Sequence, residues 1–478
     1  MNGSHVVVIG GGIAGLAAAR FLADGGARVT VLEGASRIGG KLQVSEVAGL
    51  PVDEGAEAIL TRRPEGLDLI RDAGLGDQVV DSAGEPAGIL SHGALRPLPA
   101  GQVMGVPSDL TALARSGVLS PGGVARAALD LALPVSGRGI PVDAAADVSV
   151  AAYVGARLGR EVVDRLVEPL LGGVYAGRVE ELSFHAALGG VAAAARSHRS
   201  LIMAARAVRA AGPADPGPMF ATLAGGLGSL PPALAETITA AGGTVRTGAT
   251  VRELRAADSG WRLTVGPTRA PEHLDADAVV VAVPARPAGR LLADLAPVAS
   301  RELARIEYSS MALVTLAYPV TAFPERPSST GYLVPSVEGR TVKAVTFGSV
   351  KWPHLAGRRP DLVVLRCSIG RLGEEHLLQR DDDELKAAAI AELAHTCGVR
   401  ELPVESRVTR WGGALPQYTV GHLDRVARIR ATVAGLPGLA VAGAAYDGVG
   451  VPACVASARA AAARVLDHLA DRQRSAVS

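Results

Sequence analysis

The sequence predicts an α/β fold: a Rossmann-like dinucleotide-binding domain assembled from discontinuous segments, joined to an α+β substrate domain and a helical insertion. Three observations predict it. Near the N-terminus, Val6-Val7-Val8-Ile9 runs into Gly10-Gly11-Gly12-Ile13-Ala14-Gly15, and a second apolar run closes on Glu33. Near the C-terminus, Leu439-Ala440-Val441-Ala442-Gly443 is followed by Gly448-Val449-Gly450-Val451-Pro452 and a helical pattern. Between these ends, helical spacing over residues 108–209 gives way to strand alternation over residues 305–372.

The first β-branched run reads as a buried strand. Gly10 permits a tight turn, Gly12 lets a pyrophosphate approach the backbone, and Gly15 lets helix pack on strand. Residues 13–22 have helical apolar spacing that ends at Gly25-Gly26. The start of such a helix offers free N–H groups and a positive dipole end to a diphosphate. Glu33 can hold the ribose hydroxyls of an adenosine. We therefore expect Gly10, Gly11, Gly12, Ile13, Ala14, Gly15, Glu33 and Gly34 to contact a dinucleotide. A glycine turn without a ligand is the alternative, and the acid at position 33 speaks against it.

Ser36-Arg37-Ile38-Gly39-Gly40-Lys41 then offers a second glycine pair, with flanking cations, to wrap the diphosphate from the other side. Val52-Asp53-Glu54-Gly55-Ala56-Glu57-Ala58 is a strand end leading into small residues. This succession resembles the flavoprotein family of amine oxidases, phytoene desaturases and protoporphyrinogen oxidases. The resemblance implies FAD as cofactor, with Gly40, Lys41, Gly55, Ala56, Glu57 and Ala58 among its contacts. The family often has Arg where this chain has Lys41, which keeps the charge but loses the planar fork.

At 478 residues the chain is expected to form two or three domains. With 48% hydrophobic and 20% charged residues a large core is available, and a net charge of +1 gives no pull toward nucleic acid. Aromatic residues at 3% argue against a stacking platform for single strands. Cys367, Cys397 and Cys454 are far apart, which disfavours a disulfide framework or zinc site and suits a reducing, cytoplasmic setting. No basic stretch precedes the first strand, so no signal peptide is expected. Residues 431–458 are apolar but broken by Gly and Pro, and read as strand, loop and helix start rather than a membrane span. No HExxH, GxSxG or P-loop pattern is present, and no Cys/His/acid cluster predicts a metal.

Along the middle of the chain, Arg62-Arg63 precedes a helix expected over residues 65–73. The pair reads equally as a solvated flank or as contacts to a substrate carboxylate. Helices are expected over 110–119, 122–133, 150–158 and 160–171. The basic set Arg196, His198, Arg199, Arg206 and Arg209 reads first as a solvated face, otherwise as a partner for an anion or a lipid headgroup. Glu168-Pro169-Leu170-Leu171-Gly172-Gly173-Val174-Tyr175-Ala176-Gly177 reads as a helix break and turn. The Gly/Pro cluster at 212–218 marks a boundary. Beyond it we expect a helix over 231–241 and strands over 244–254, 261–265 and 278–283. Strands over 312–318, 331–335, 342–347 and 362–369 suggest an antiparallel sheet, and a helix over 382–397 carries acids in its first turn. Trp411 reads as a core aromatic, and His422 as a cap or packing residue. Gly448–Val451 would present backbone N–H groups at a helix start, with Val449, Gly450 and Val451 facing a flavin ring.

The 168–177 run resembles a signature of the protoporphyrinogen and coproporphyrinogen oxidase branch. The run Arg410-Trp411-Gly412-Gly413-Ala414-Leu415-Pro416-Gln417-Tyr418 is similar to one in that branch that sets its Trp against FAD. Val251 matches the position that lays its backbone on the adenine. Ala444 stands where the family commonly has Asn. The expected domains are FAD-binding at 1–79, 213–288 and 405–478, substrate-binding at 80–107 and 289–404, and a helical insertion at 108–212. The resemblance implies an oxidase that passes hydride from a porphyrinogen to FAD and then to O2, giving H2O2 in haem biosynthesis. Arg62 or Arg63 would meet a propionate, and catalytic residues stay unassigned. The Ala/Gly/Arg-rich composition suggests a high-GC bacterium, whose relatives of this kind imply coproporphyrinogen III; protoporphyrinogen IX is the alternative. An amine oxidase, a carotenoid desaturase and a non-catalytic binding protein are the more distant readings. Peripheral membrane contact and a transient contact with the next haem-pathway enzyme stay open.

Overall fold

A computed structural model of the chain describes residues 3–84, 86–134, 146–212 and 217–477. Its centre is a five-stranded, all-parallel sheet in the order Thr244–Arg246, Arg28–Leu32, His5–Ile9, Ala278–Val281, Leu439–Val441. Both faces are covered, which is why the central strands read as unbroken apolar runs. Alternate residues serve opposite cores. Val6 and Val8 pack with the helices Ile13–Asp24, Leu230–Ala240 and Val451–Val477. Val7 and Ile9 pack with a three-stranded antiparallel sheet (Val251–Ala257, Gly260–Val265, Glu272–Ala276) and the helices Ala285–Leu291, Pro297–Ala304 and His422–Ala434.

The single strand expected over 244–254 is two strands in two sheets. Gly248 adopts φ +64°, and the N–H groups of Gly248 and Ala249 donate to the carbonyls of Ala35 and Glu33 at 2.8 Å. That turn detaches Val251–Ala257 from the parallel sheet.

The second sheet has seven strands: Glu405–Pro416, Tyr308–Pro319, Leu362–Ile369, Val342–Phe347, Gly331–Leu333, Gly88–Ser91 and Ala94–Pro97. Neighbours are antiparallel except Gly331–Leu333 beside Gly88–Ser91. The helix Asp382–Cys397 covers one face and opens with a capping box from Asp381 and Glu384. Two expected boundaries move. Glu405–Pro416 pairs along Tyr308–Pro319, so this segment belongs to the seven-stranded sheet and not to the nucleotide sheet. The helices Ala285–Leu291 and Pro297–Ala304 pack into the nucleotide-sheet core, beyond the expected limit at 288.

A helical layer from Leu110–Ser116 to Leu201–Ala210 packs around its own core. Residues 135–145 of the expected insertion, and 213–216 of the expected Gly/Pro boundary, lie outside the described residues. The expected helix break at Pro169 does not occur. A π-helical turn, Val163–Val167, leads into Glu168–Tyr175 with Pro169 in its first turn, where a missing N–H is tolerated. Inside the layer, Arg157 pairs with Asp130 at 2.5 Å, and Asp130 also accepts from Ser200 Oγ and the Ile202 N–H. The basic segment staples neighbours: Arg199 donates to Leu131 O, and Arg206 and Arg209 to Ser108.

Candidate cofactor site and its walls

At the end of the first strand Gly10 adopts φ +112°, and a methyl there would lie 2.7 Å from Ala282 O. A methyl on Gly15 would lie 1.8 Å from Gly10 O, so helix and strand meet at a distance only glycine allows. Gly12, by contrast, has nothing within 4 Å of its missing side chain, and it caps the helix without a side-chain partner. The first N–H groups of that helix have no intrahelical acceptor and no side-chain cap. The Glu33 carboxylate accepts from the N–H groups of Gly11 and Ala35, both at 2.7 Å. An ionised carboxylate has about four acceptor positions, so two are left for ribose hydroxyls. A cleft of ≈ 700 Å³ lined by Ser36, Arg37, Ile38, Pro232, Glu236 and Thr247 opens beside it. Gly34 lies against Thr250, immediately before Val251.

The second glycine pair backs onto the first. Gly39 donates to Gly11 O at 2.8 Å, and a methyl on Gly40 would meet Gly12 Cα at 3.3 Å. Arg37 donates to the carbonyls of Ile38 and Gly40, and its guanidinium lies 5.7 Å from the Trp411 ring. Trp411 Nε1 donates to Glu54 O at 2.6 Å, which ties the edge strand to the loop that follows Asp53. A methyl on Gly55 would lie 2.0 Å from Lys41 O, so this loop also needs glycine. Burial lowers the pKa of the Lys41 amine, and Cys454 of the C-terminal helix opposes that shift. Trp411 is thus a bridging residue between two glycine loops.

The Glu57 side chain is engaged within the protein. Its carboxylate is held by Lys351 at 2.7 Å and Arg366 at 2.5 Å. Burial pushes its pKa up, but Arg366 and Lys351 more than reverse this and hold it at about 2. Only the backbone of Glu57 remains for a ligand. Arg63 is likewise engaged, by Glu65 at 2.7 Å, whereas Arg62 is exposed beside it. Both precede the helix Pro64–Asp72, whose Gly66 touches Pro452.

The C-terminal helix starts at Val451, with Pro452 in its first turn. The two chain ends meet: a methyl on Gly443 would lie 3.9 Å from Ala14 Cβ. Tyr418 clamps the connecting loop, donating to Ala444 O at 2.6 Å and accepting from the Gly448 N–H at 2.7 Å. Its neighbour Gln417 donates to Tyr175 O at 2.8 Å. Tyr175 ends the helix Glu168–Tyr175, and Ala176 then takes φ +46°, an uncommon backbone for a residue with a side chain. The 168–177 run and the 417–418 pair therefore form one wall around the Val449 turn. His422 stacks on Tyr418 with ring centroids 3.9 Å apart. Burial pushes Tyr175 up to about 12, raises Tyr418 further, and pushes His422 down to about 4.

These loops suit a flavin dinucleotide: an open helix start at Gly12, a free-sided carboxylate at Glu33, and glycine loops where any side chain would collide. Reading the sequence missed Arg366, Lys351 and the roles of Gln417 and Tyr418. No local spacing marks them, because each acts on another element of the chain.

The sequence matches the family of flavin containing amine oxidoreductases over residues 13–466. It is 39% identical over 472 residues to a coproporphyrinogen III oxidase of Mycobacterium tuberculosis, covering 97% of each chain. It is 37% identical over 496 residues to a coproporphyrinogen III oxidase of Propionibacterium freudenreichii subsp. freudenreichii, covering 97% of this chain and 91% of the relative. The fold superposes on a putative protoporphyrinogen oxidase of Exiguobacterium with a TM-score of 0.83 and 32% identity, covering 98% of this chain and 99% of the other.

Proposed function

Because the chain belongs to the family of flavin-containing amine oxidoreductases, we propose that it oxidises coproporphyrinogen III to coproporphyrin III, with O2 as acceptor and H2O2 as product. The chain is a flavin-dependent oxidoreductase and its cofactor is FAD. The observation that carries the substrate is the likeness, along nearly the whole of both chains, to coproporphyrinogen III oxidases.

In this reading Gly10–Gly15 and Gly40–Lys41 hold the diphosphate, and Glu33 and Gly34, with Val251, hold the adenosine. The backbone of Gly55–Ala58 and the N–H groups of Val449, Gly450 and Val451 border the ring. Once bound, FAD supplies the hydride acceptor. The residues of the chain bind, orient and exclude water. Tyr175 and Tyr418 stay protonated at neutral pH and His422 stays neutral and enclosed, so none serves as a base. The pyrrole N–H groups of a porphyrinogen can release the protons themselves. Of the pair, Arg62 is the member that would meet a propionate, since Glu65 occupies Arg63.

Among the described residues no helix is long and apolar enough to cross a membrane. We place the enzyme in the cytoplasm, with a transient handover of product to the next enzyme of haem synthesis. The second reading is protoporphyrinogen IX as substrate, favoured by the fold likeness to a putative protoporphyrinogen oxidase. Porphyrin fluorescence after adding each porphyrinogen to purified protein separates them. We expect faster fluorescence growth with coproporphyrinogen III; a clear preference for protoporphyrinogen IX would reverse the assignment.

A further inference from the structure

Arg366 lies on Leu362–Ile369, within the seven-stranded sheet, yet its guanidinium reaches the loop that follows Asp53. It donates to Asp53 O at 2.6 Å and Gly55 O at 3.1 Å, and it pairs with the Glu57 carboxylate at 2.5 Å. Neighbouring residues pin the same loop from other sides. The Asp53 carboxylate accepts from the N–H groups of Leu227 and Gly228 at 2.8 Å, and Glu54 O accepts from Trp411. The Gly55 backbone presses on Lys41 O. Behind the loop, Asp53, Glu57, His354 and Arg366 line a cavity of ≈ 20 Å³, with room for about one water. The loop backbone also donates from Glu54 and Ala56 to the carbonyls of Gln43 and Lys41, at 2.8 and 3.2 Å, so its shape is set by these contacts together with groups from Leu227–Gly228, Trp411 and Arg366.

We propose that Arg366 is a positioning residue for the cofactor, whose planar fork fixes the Gly55 carbonyl and the Glu57 carboxylate so that the backbone of 55–58 is shaped for the flavin ring. Only arginine presents in-plane donors to two carbonyls and a carboxylate at once; a lysine ammonium keeps the charge but not the fork. The inference rests on reading Gly55–Ala58 as a cofactor contact.

The test is FAD titration of the apoprotein, parent against Arg366→Lys and Arg366→Met, read by flavin fluorescence quenching, the visible absorption band and the apoprotein melting temperature. For Arg366→Lys we expect a melting temperature close to the parent's, a shifted flavin band, and an FAD Kd raised about tenfold, the equivalent of one lost hydrogen bond to a charged group. Arg366→Met should weaken binding further. Should Arg366→Lys bind FAD within about twofold of the parent, with an unshifted band, the positioning role is wrong. A lowered melting temperature with parent-like FAD affinity in the folded fraction would make Arg366 purely structural and would also overturn the proposal. If the parent itself takes up no FAD, the cofactor reading fails first, and that failure shows in the parent alone.

Discussion

His422 closes the run that begins at Trp411, and it is fully buried. It stacks on Tyr418, and one ring nitrogen lies 3.2 Å from Tyr446 O, so the neutral ring donates there. Burial is the main cause of its lowered pKa, about 4 against an ordinary 6.5. Between those values the unfolded chain binds a proton that the folded chain refuses. Stability from this residue is therefore intact above pH 6.5 and is lost as pH falls toward 4, amounting in the limit to about 3 kcal/mol. His422→Phe keeps the stack and removes the titration. The variant should be less stable at pH 7.5 by about 1 kcal/mol, the lost hydrogen bond. On moving to pH 4.5 it should lose about 2 kcal/mol less than the parent in urea unfolding. Equal acid losses in both proteins would show that His422 does not sense pH. At this scale, legibility followed locality. The packing of Gly15 on Gly10 and the Glu33 contacts to Gly11 and Ala35 are legible because these partners lie within about one strand–helix–strand unit, whereas the Gly10 contact with Ala282 is not. The ion pairs of the Glu57 side chain are not legible locally, because Arg366 arrives from the strand Leu362–Ile369 and Lys351 from the short helix Gly348–Lys351, the latter at a separation of 294 residues.

At the scale of elements, the 168–177 run carried a resemblance but no visible chemistry. The structure supplies the physical content: a helix that crosses Pro169 through a π turn and ends against Gln417. A methyl on Gly177 would lie 2.0 Å from Gln417 Oε1, so the helix end and the strand end share one contact. Gln417→Ala should destabilise by about 2 kcal/mol, through lost hydrogen bonds and a cavity. Gly177→Ala should cost about 1–3 kcal/mol in the parent by overpacking. In the Gln417→Ala background it should cost nearly nothing, since the amide it strikes is gone. A double-mutant cycle checks this, and additivity within about 0.5 kcal/mol would separate the two elements. The break expected at Pro169 failed because proline is a breaker only where its N–H is needed; here a wider turn absorbs it. The strand expected over 244–254 failed for the opposite reason. A left-handed glycine, Gly248, turns a continuous pattern out of its sheet.

At the scale of the molecule, the parallel sheet takes its strands from the N-terminus, the middle and the C-terminus, with Leu439–Val441 at one edge. That discontinuity was legible, because strand–glycine–helix patterns stand at both ends of the chain. The limits at 288 and 404 were not, because sheet partnership is decided by long-range pairing that composition does not record: Glu405–Pro416 pairs with Tyr308–Pro319. The consequence for function is that one ligand should lock segments that are distant in sequence. The Gly12 helix start and the Gly450 helix start converge, since a methyl on Gly443 would lie 3.9 Å from Ala14 Cβ and the helices Ile13–Asp24 and Val451–Val477 share one core. A dinucleotide bridging them stabilises the folded state by about 2.7 kcal/mol at a hundred times its Kd, and any opening that breaks the site must forfeit all of it. Hydrogen exchange on adding FAD to apoprotein should therefore slow by about a hundredfold in both places, at residues 11–16 and at 448–454, with the same dependence on FAD concentration. The edge hairpin Val44–Val47 and Leu50–Asp53 lies next to the 53–57 loop and should follow partially, while the solvent-facing helix Asp382–Cys397, across the other sheet, should not respond. Protection of the N-terminal turn without the C-terminal one would mean that the nucleotide is held at its phosphate end alone, and that the second glycine-opened helix belongs to the substrate wall instead.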